Sequence, residues 1–177
     1  MPDRRMLPVM LVVLGILPGP AIADTAMSTA ARHIANPQKV GEAVLKYLFW
    51  DVYRVELFAT PAGWRHDAPF ALTLNYLRDF TGADIADRTI SEMRGQGFSD
   101  EKTLAKWRTR LLAIFPDVSK GTRLTGVRAS DGKTIFYRNG TKIGEINDPS
   151  FTRPFFDIWL GEKTSEPALR RALLGEF

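Results

Sequence analysis

Cysteine is absent from the 177-residue sequence, and histidine occurs only twice, as His33 and His66. The lack of cysteine excludes a thiol nucleophile, a disulfide framework and thiolate metal sites. Because the two histidines fall in an N-terminal segment and a loop, we expect neither the usual zinc sites nor a histidine-based catalytic centre. The sequence therefore predicts no metal site and no catalytic residue of these types.

Cofactor motifs are missing as well. Gly95 and Gly97 are not preceded by a strand or followed by a third glycine, as a nucleotide fingerprint requires. No acidic loop of the calcium-binding kind occurs. The net charge of +4 is spread along the chain and does not favour nucleic acid as a partner. We expect no cofactor.

Long hydrophobic runs are also absent, except near the N-terminus. Residues 6–17 are apolar, follow a basic start and are ended by Pro-Gly-Pro and Ala-Ile-Ala. This pattern predicts a secretory signal peptide over residues 1–23, and hence a periplasmic or secreted protein with no stable membrane insertion after cleavage. The alternative is a short uncleaved anchor, although the run is below the ~17 residues of a spanning helix.

The most apolar stretch of the remaining chain is YLFWDVYRVELF, residues 47–58. Asp51 interrupts it, which predicts two strands that meet there at a tight turn, the first beginning at Lys39 and the second ending at Phe58. Alternation of side chains places one apolar set on a single face of the second strand: Tyr53, Val55 and Leu57.

Hydrophobic periodicity predicts the other elements. Residues 24–38 are expected to form a mobile lead-in with one weak turn of helix, and residues 39–177 the folded domain. Strands are expected over residues 70–78, 122–129, 133–138 and 141–146, the last three joined by the hairpin dipeptides Asp131-Gly132 and Asn139-Gly140. Helices are expected to begin at Thr81, Ser99, Asp148 and Ser165. This order predicts an α+β fold, with an antiparallel sheet of about six strands and helices layered on one face.

Candidate binding residues combine arginine or a polar aromatic group with an apolar strand face: Tyr53, Arg54, Tyr76, Arg78 and Trp159. A guanidinium and a phenol beside an apolar cavity would receive a carboxylate on a hydrophobic body. The alternative is that Arg78 ends its strand in water and both tyrosine hydroxyls point outward. The charged residues Asp84, Asp87, Arg88 and Glu92 are expected to form a solvated helix face.

Several segments together resemble the chalcone isomerase-like family, specifically its exported bacterial branch. They are LFWDVYRVELF, LTLNYLRDF followed by Thr81-Gly82, AIFPDV with its following Gly121, GTKIG, and FFDIWLGEKTSEPALRRALLG. The likeness extends from about residue 40 to residue 174. It implies an open-faced β-sandwich that holds a hydrophobic ligand between the sheet and the helices.

The plant isomerases of that family use polar residues that this sequence lacks. The resemblance places their arginine near Val40 or Gly41, and the other polar residues at four further positions: Tyr53, Ile85, Glu92 and Ile158. Losing donors aimed at the developing charge normally costs orders of magnitude in rate. The resemblance therefore implies the fold of an isomerase without its site.

The first functional hypothesis is an exported protein that binds a small hydrophobic or fatty-acid-like ligand without flavonoid isomerase activity. Tyr53, Tyr76 and Arg78 would hold the polar end, and Phe156 and Trp159 would form the wall. The second is an isomerase or intramolecular lyase acting on an unsaturated carbonyl compound, with Tyr53 as acid or base. The third is a chaperone-like partner protein, with an exposed apolar patch and no internal cavity. The sequence leaves the oligomeric state open.

Overall fold

The computed structural model describes residues 24–176, so the predicted signal peptide lies outside the described residues. Within residues 24–176 no helix has the length and apolar character needed to cross a membrane. The predicted fold class is confirmed: a six-stranded antiparallel sheet carries a layer of helices.

The sheet is a simple meander in which each strand pairs with its neighbours in the sequence. Its strands are β1 (Gln38–Tyr47), β2 (Trp50–Ala59), β3 (Phe70–Tyr76), β4 (Arg123–Arg128), β5 (Thr134–Arg138) and β6 (Thr141–Ile146). The hairpins predicted at Asp131-Gly132 and Asn139-Gly140 are present, and both glycines have positive φ. These hairpins, together with the one between β1 and β2, return the chain antiparallel beside the strand it has just left, whereas the connection from β3 to β4 contains α2 and α3.

One short helix precedes the strands, and four more follow in two pairs, after β3 and after β6. They are α1 (Thr25–Ala30), α2 (Gly82–Gly95), α3 (Glu101–Ile114), α4 (Pro149–Leu160) and α5 (Pro167–Leu173). Helices α2 to α5 pack on one face of the sheet, which we call the inner face, defined by Val55, Leu57, Leu72 and Leu74. The opposite, outer face is defined by Phe58, Ala71, Val127 and Ile135.

The first hairpin turns earlier than predicted. Leu48 and Phe49 form the turn, and Asp51 lies inside β2, where its carboxylate pairs with Lys46 at 3.3 Å. Leu48 has a φ of 53°. Leucine rarely adopts this left-handed conformation, which is why sequence reasoning assigned the turn to the aspartate instead.

Two helix caps were predicted one residue too early. Asp100, not Ser99, caps α3 by accepting a hydrogen bond from the backbone N–H of Thr103 at 3.2 Å. Helix α5 begins after Glu166, and Ser165 donates to a glutamate on α2 instead. In contrast, the capping box at Thr81 and the Asp148-Pro149 start of α4 are confirmed.

Helix α1 packs on the outer face, a contact that sequence reasoning missed. Ala26, Ala30 and Ile34 are buried against that face, and His33 Nε2 lies 2.6 Å from the Tyr137 hydroxyl. The segment from residue 24 to residue 38 was expected to be a lead-in with one weak turn. Its contacts come from small side chains that give little hydrophobic signal, and the helices therefore cover both faces of the sheet.

Helix α5 covers the inner side of β1. A Cβ atom at Gly41 would collide with the backbone carbonyl groups of Ala172 and Leu173. Glycine is therefore required at this position for close approach of the helix backbone.

Candidate functional site

A cavity of about 650 Å³ lies between the inner face of the sheet and helices α2 and α4. Cavities of roughly 300 to 1,000 Å³ with predominantly apolar walls are typical of small-molecule sites. The inner face is therefore not packed solidly against the helices, which leaves room for a ligand.

Strand register builds the sheet side of the cavity. Tyr53 of β2 lies directly opposite Tyr76 of β3, and Leu72 of β3 lies opposite Gly126 of β4. Because side chains alternate along each strand, Tyr53, Tyr76 and Leu72 all point to the inner face. Gly126 contributes no side chain, and the rings of Phe155 and Phe156 lie over it.

Helices α2 and α4 form the opposite wall. Helix α4 contributes Phe155, Phe156, Ile158 and Trp159, and α2 contributes Ile85. Helical spacing places the α4 residues on one buried stripe. The part of this wall that α4 forms is apolar and aromatic, whereas α2 adds polar side chains beside Ile85.

Two tyrosine hydroxyls supply polarity inside the cavity. Trp159 Nε1 donates a hydrogen bond to the Tyr53 hydroxyl at 3.0 Å, and the rings of Tyr53 and Tyr76 meet edge to face with centroids 5.8 Å apart. Burial raises the pKa of Tyr53 to about 12, and it also raises the pKa of Tyr76. Both side chains are therefore neutral phenols at ordinary pH, able to donate a hydrogen bond but poor as bases.

The cavity opens beside the first hairpin. Lys46, Tyr47, Trp50 and Arg78 line it and are exposed to solvent, which marks this side as the opening. The guanidinium of Arg78 lies 3.9 Å from the centre of the Trp50 ring. Among the described residues no carboxylate forms an ion pair with Arg78, so its donors are free for an incoming anion.

A polar patch on α2 also reaches the cavity, contrary to expectation. Arg88 and Glu92 pair at 2.5 Å, and Ser165 donates to the Glu92 carboxylate at 2.9 Å. The side chain of Glu92 is only 15% exposed. Glu92 follows Ile85 and Thr89 by seven and three residues, so helical spacing could have placed it on the cavity side. Asp87 does lie on the solvated face, paired with Arg108 at 2.6 Å.

A comparison with models of known protein families shows to which family the chain belongs. The model of the family described as chalcone isomerase-like matches residues 40–175. The chain belongs to the chalcone isomerase-like family. No curated protein matches the chain.

Solved structures agree with this fold. A fatty-acid binding protein from Arabidopsis thaliana is similar to this chalcone isomerase-like protein, with a TM-score of 0.62 and 12% sequence identity. The match covers 78% of this chain and 87% of the plant chain. At that identity the likeness concerns the fold, and it supports the predicted open-faced β-sandwich.

The five predicted ligand-binding residues line the same cavity: Tyr53, Tyr76, Arg78, Phe156 and Trp159. Their binding role remains a prediction. Arg54, the sixth residue considered, is not among the residues that line the cavity, and its nearest acidic partner is Glu42 at 3.5 Å. The structure thus separates the two arginines: only Arg78 is positioned for the cavity.

Four positions that the family resemblance assigns to isomerase chemistry also line the cavity: Tyr53, Ile85, Glu92 and Ile158. Two of the four are apolar in this chain. The isomerase arginine falls near Val40 or Gly41 by the resemblance; the nearest cation in the sequence, Lys39, is paired with Glu42 at 2.7 Å and does not line the cavity. Within residues 24–176 no group of three acidic or histidine side chains is placed to hold a metal ion.

Proposed function

We propose that this protein is an exported chalcone isomerase-like protein, periplasmic or secreted, that binds a small amphipathic ligand such as a fatty acid without flavonoid isomerase activity. The observation that carries this proposal is the apolar cavity of about 650 Å³ with an unpaired guanidinium at its opening. The name of the plant neighbour, a fatty-acid binding protein, supports the same class of ligand.

The walls suit an alkyl or aromatic body. Burying each methylene group of a ligand contributes about 0.8 kcal/mol. Leu72, Leu74 and Phe156 offer apolar surface for such contacts. A chaperone-like protein without an internal cavity is less well supported, because the described residues enclose one.

The polar groups suit a carboxylate. Arg78 offers a charged fork at the opening, and the Tyr53 and Tyr76 hydroxyls are neutral donors inside. A hydrogen bond to a charged group contributes about 1.5 to 3 kcal/mol. The site therefore favours an acid over its uncharged ester.

The isomerase alternative has less support. Ile85 and Ile158 cannot stabilise a developing negative charge, and Tyr53, whose pKa burial raises to about 12, stays protonated near neutral pH and is not available as a base. A chalcone absorbance assay tests this point. Wild type and Tyr53→Phe are expected to give the same background rate, and a Tyr53-dependent rate would establish the enzyme.

Mass spectrometry of the purified protein is the most direct test of the ligand. We expect a co-purifying amphipathic acid and a polypeptide mass that corresponds to cleavage before Asp24. At a fatty-acid concentration of 100 times Kd, the free energy of unfolding should rise by about 2.7 kcal/mol. If no ligand co-purifies and fatty acids leave the melting temperature unchanged, the proposal fails.

A matched pair of variants tests the carboxylate site. Arg78→Gln should weaken binding of a long-chain fatty acid by about tenfold or more, while Arg138→Gln, an exposed arginine outside the cavity lining, should leave it unchanged. Calorimetry with the acid and its methyl ester gives the control. Equal affinity of the wild type for both compounds would remove Arg78 from the site.

A further inference from the structure

The tip of the first hairpin exposes four consecutive large apolar side chains. Tyr47, Leu48, Phe49 and Trp50 are 68%, 75%, 96% and 54% exposed. In the described part of the chain the only other large hydrophobic residue with comparable exposure is Leu112, at 38%. The apolar surface is therefore concentrated at one turn, which we call the aromatic tip.

The aromatic tip is costly for the fold. Leu48 has a φ of 53°, close to the 47° of Asn139 in the hairpin between β5 and β6. Asparagine tolerates this conformation far better than leucine. The chain thus uses a polar, easily turned residue at one hairpin and a strained, apolar one at the other. Strain combined with exposed apolar surface indicates a function outside the folded domain.

The size of the aromatic tip argues against a stable protein interface. Aromatic side chains present about 150 to 250 Å² each, so the four exposed residues offer on the order of 500 Å². A specific protein interface buries about 800 Å² on each partner. A protruding two-residue turn is also narrow, so a soft, deformable apolar surface suits it better than a rigid one.

The order of residues suits a lipid bilayer. Leu48 and Phe49, which carry no polar atoms in their side chains, form the turn, and Tyr47 and Trp50 flank them. Tyrosine and tryptophan are enriched where hydrocarbon meets headgroups, because one part of each side chain is apolar and the other forms hydrogen bonds. The aromatic tip reproduces that order over a single turn.

We propose that the aromatic tip inserts into the surface of a lipid bilayer, with Leu48 and Phe49 reaching the acyl chains. This docking is shallow and reversible, unlike a membrane span. Tyr47 and Trp50 also line the cavity, so the docked protein would turn its opening towards the bilayer. Passage of a ligand between bilayer and cavity rests on the proposed function, but the docking itself does not.

Tryptophan quenching by brominated lipid tests the proposal with the full chain. The four tryptophans are Trp50, Trp64, Trp107 and Trp159, and none falls within residues 1–23. Vesicles of brominated phosphatidylcholine, with and without phosphatidylglycerol, should quench part of the wild-type fluorescence. The Trp50→Phe variant should lose that quenching, because the other three tryptophans are not at the tip.

Two further variants test whether the apolar side chains of the aromatic tip cause the insertion and provide a control. Leu48→Asn with Phe49→Asp should abolish quenching of Trp50, and asparagine suits the positive φ at position 48, so the fold should be retained. Leu112→Asn removes an exposed apolar side chain from α3 and should leave quenching unchanged. Circular dichroism verifies folding of each variant.

Three outcomes would overturn the proposal. The protein could bind vesicles through its N-terminal segment while Trp50 stays unquenched. Quenching could persist in the Leu48→Asn, Phe49→Asp variant. Sedimentation could show a dimer that this variant disrupts, without quenching by vesicles, which would assign the aromatic tip to a second copy of the chain. None of these readouts depends on fatty-acid binding.

Discussion

The two faces of the sheet are built from alternate residues of the same strands, yet within residues 24–176 the inner face lines a cavity of about 650 Å³ while the outer face forms a buried cluster with α1. On the outer face, Ala71 shares one buried cluster with the small residues Ala26 and Ala30 of α1. On the inner face, α4 presents Phe155 and Phe156, whose rings meet Gly126. Large rings hold the helix away from the sheet, and the space beside them becomes the cavity. The size of the helix residues, rather than the strands, therefore decides whether a face is packed or hollow.

The largest expected effect is on stability. Phe58→Ala on the outer face, where Phe58 is 0% exposed, should lower the free energy of unfolding by about 3 to 5 kcal/mol. Phe156→Ala should cost about 1 kcal/mol less, since part of the Phe156 ring already faces the cavity and has fewer contacts to lose. Urea unfolding measures both. Equal costs would mean that the inner face is as solidly packed as the outer one.

Larger side chains should be tolerated better on the inner face, where the cavity has room, than on the outer face. Ala71→Leu overfills the outer face and should destabilise the protein by about 1 to 3 kcal/mol. Ile85→Trp places its extra volume in the cavity, so we expect a smaller loss of stability together with loss of fatty-acid binding. Thermal unfolding and calorimetry measure the two effects. A large loss of stability in Ile85→Trp with retained binding would contradict the comparison.

The smallest effect concerns pH. Burial, with a contribution from the charge of Arg32, lowers the pKa of His33 below 6.5, and burial also lowers the pKa of His66. The unfolded chain then binds more protons just below pH 6.5, so stability is full above that pH and falls as the pH drops towards the folded-state pKa values.

Single variants separate the two histidines. His33→Gln should remove the share of the low-pH loss of stability that comes from His33 on the outer face. His66→Gln should remove the share that comes from His66 in the loop beside Trp64. Urea unfolding between about pH 5 and pH 7 measures each contribution. An unchanged pH dependence in His33→Gln would show that the burial of His33 does not contribute to the loss of stability at low pH.

Much of the fold was predictable because local chemistry and tertiary structure agree. Asn139-Gly140 makes a hairpin, and the Thr81 capping box starts a helix, whatever packs around them. The turn at Leu48 was placed wrongly because local preference opposes it. The docking of α1 was missed because Ala26 and Ala30 are small and their partners lie far away in the sequence.

The candidate site was only partly visible in the sequence. Alternation placed Tyr53 and Tyr76 on the inner face, and the end of β3 placed Arg78 near the same row. Whether Glu92 faces the cavity or the solvent depends on how α2 is rotated about its axis against the sheet. Paired charges on a helix surface do not reveal that rotation, so Glu92 was assigned to solvent although it is largely buried, whereas Arg88 is exposed as predicted.

The close contact between Gly41 and helix α5 also sets the order in which the domain can be completed. β1 is the first strand to be synthesised and pairs with β2 alone, and its inner side is covered only when the final helix arrives. This contact closes a loop from Gly41 to Ala172, about three quarters of the chain, which is expected to make it a late step in folding. A chain ending before α5 would leave its first strand uncovered.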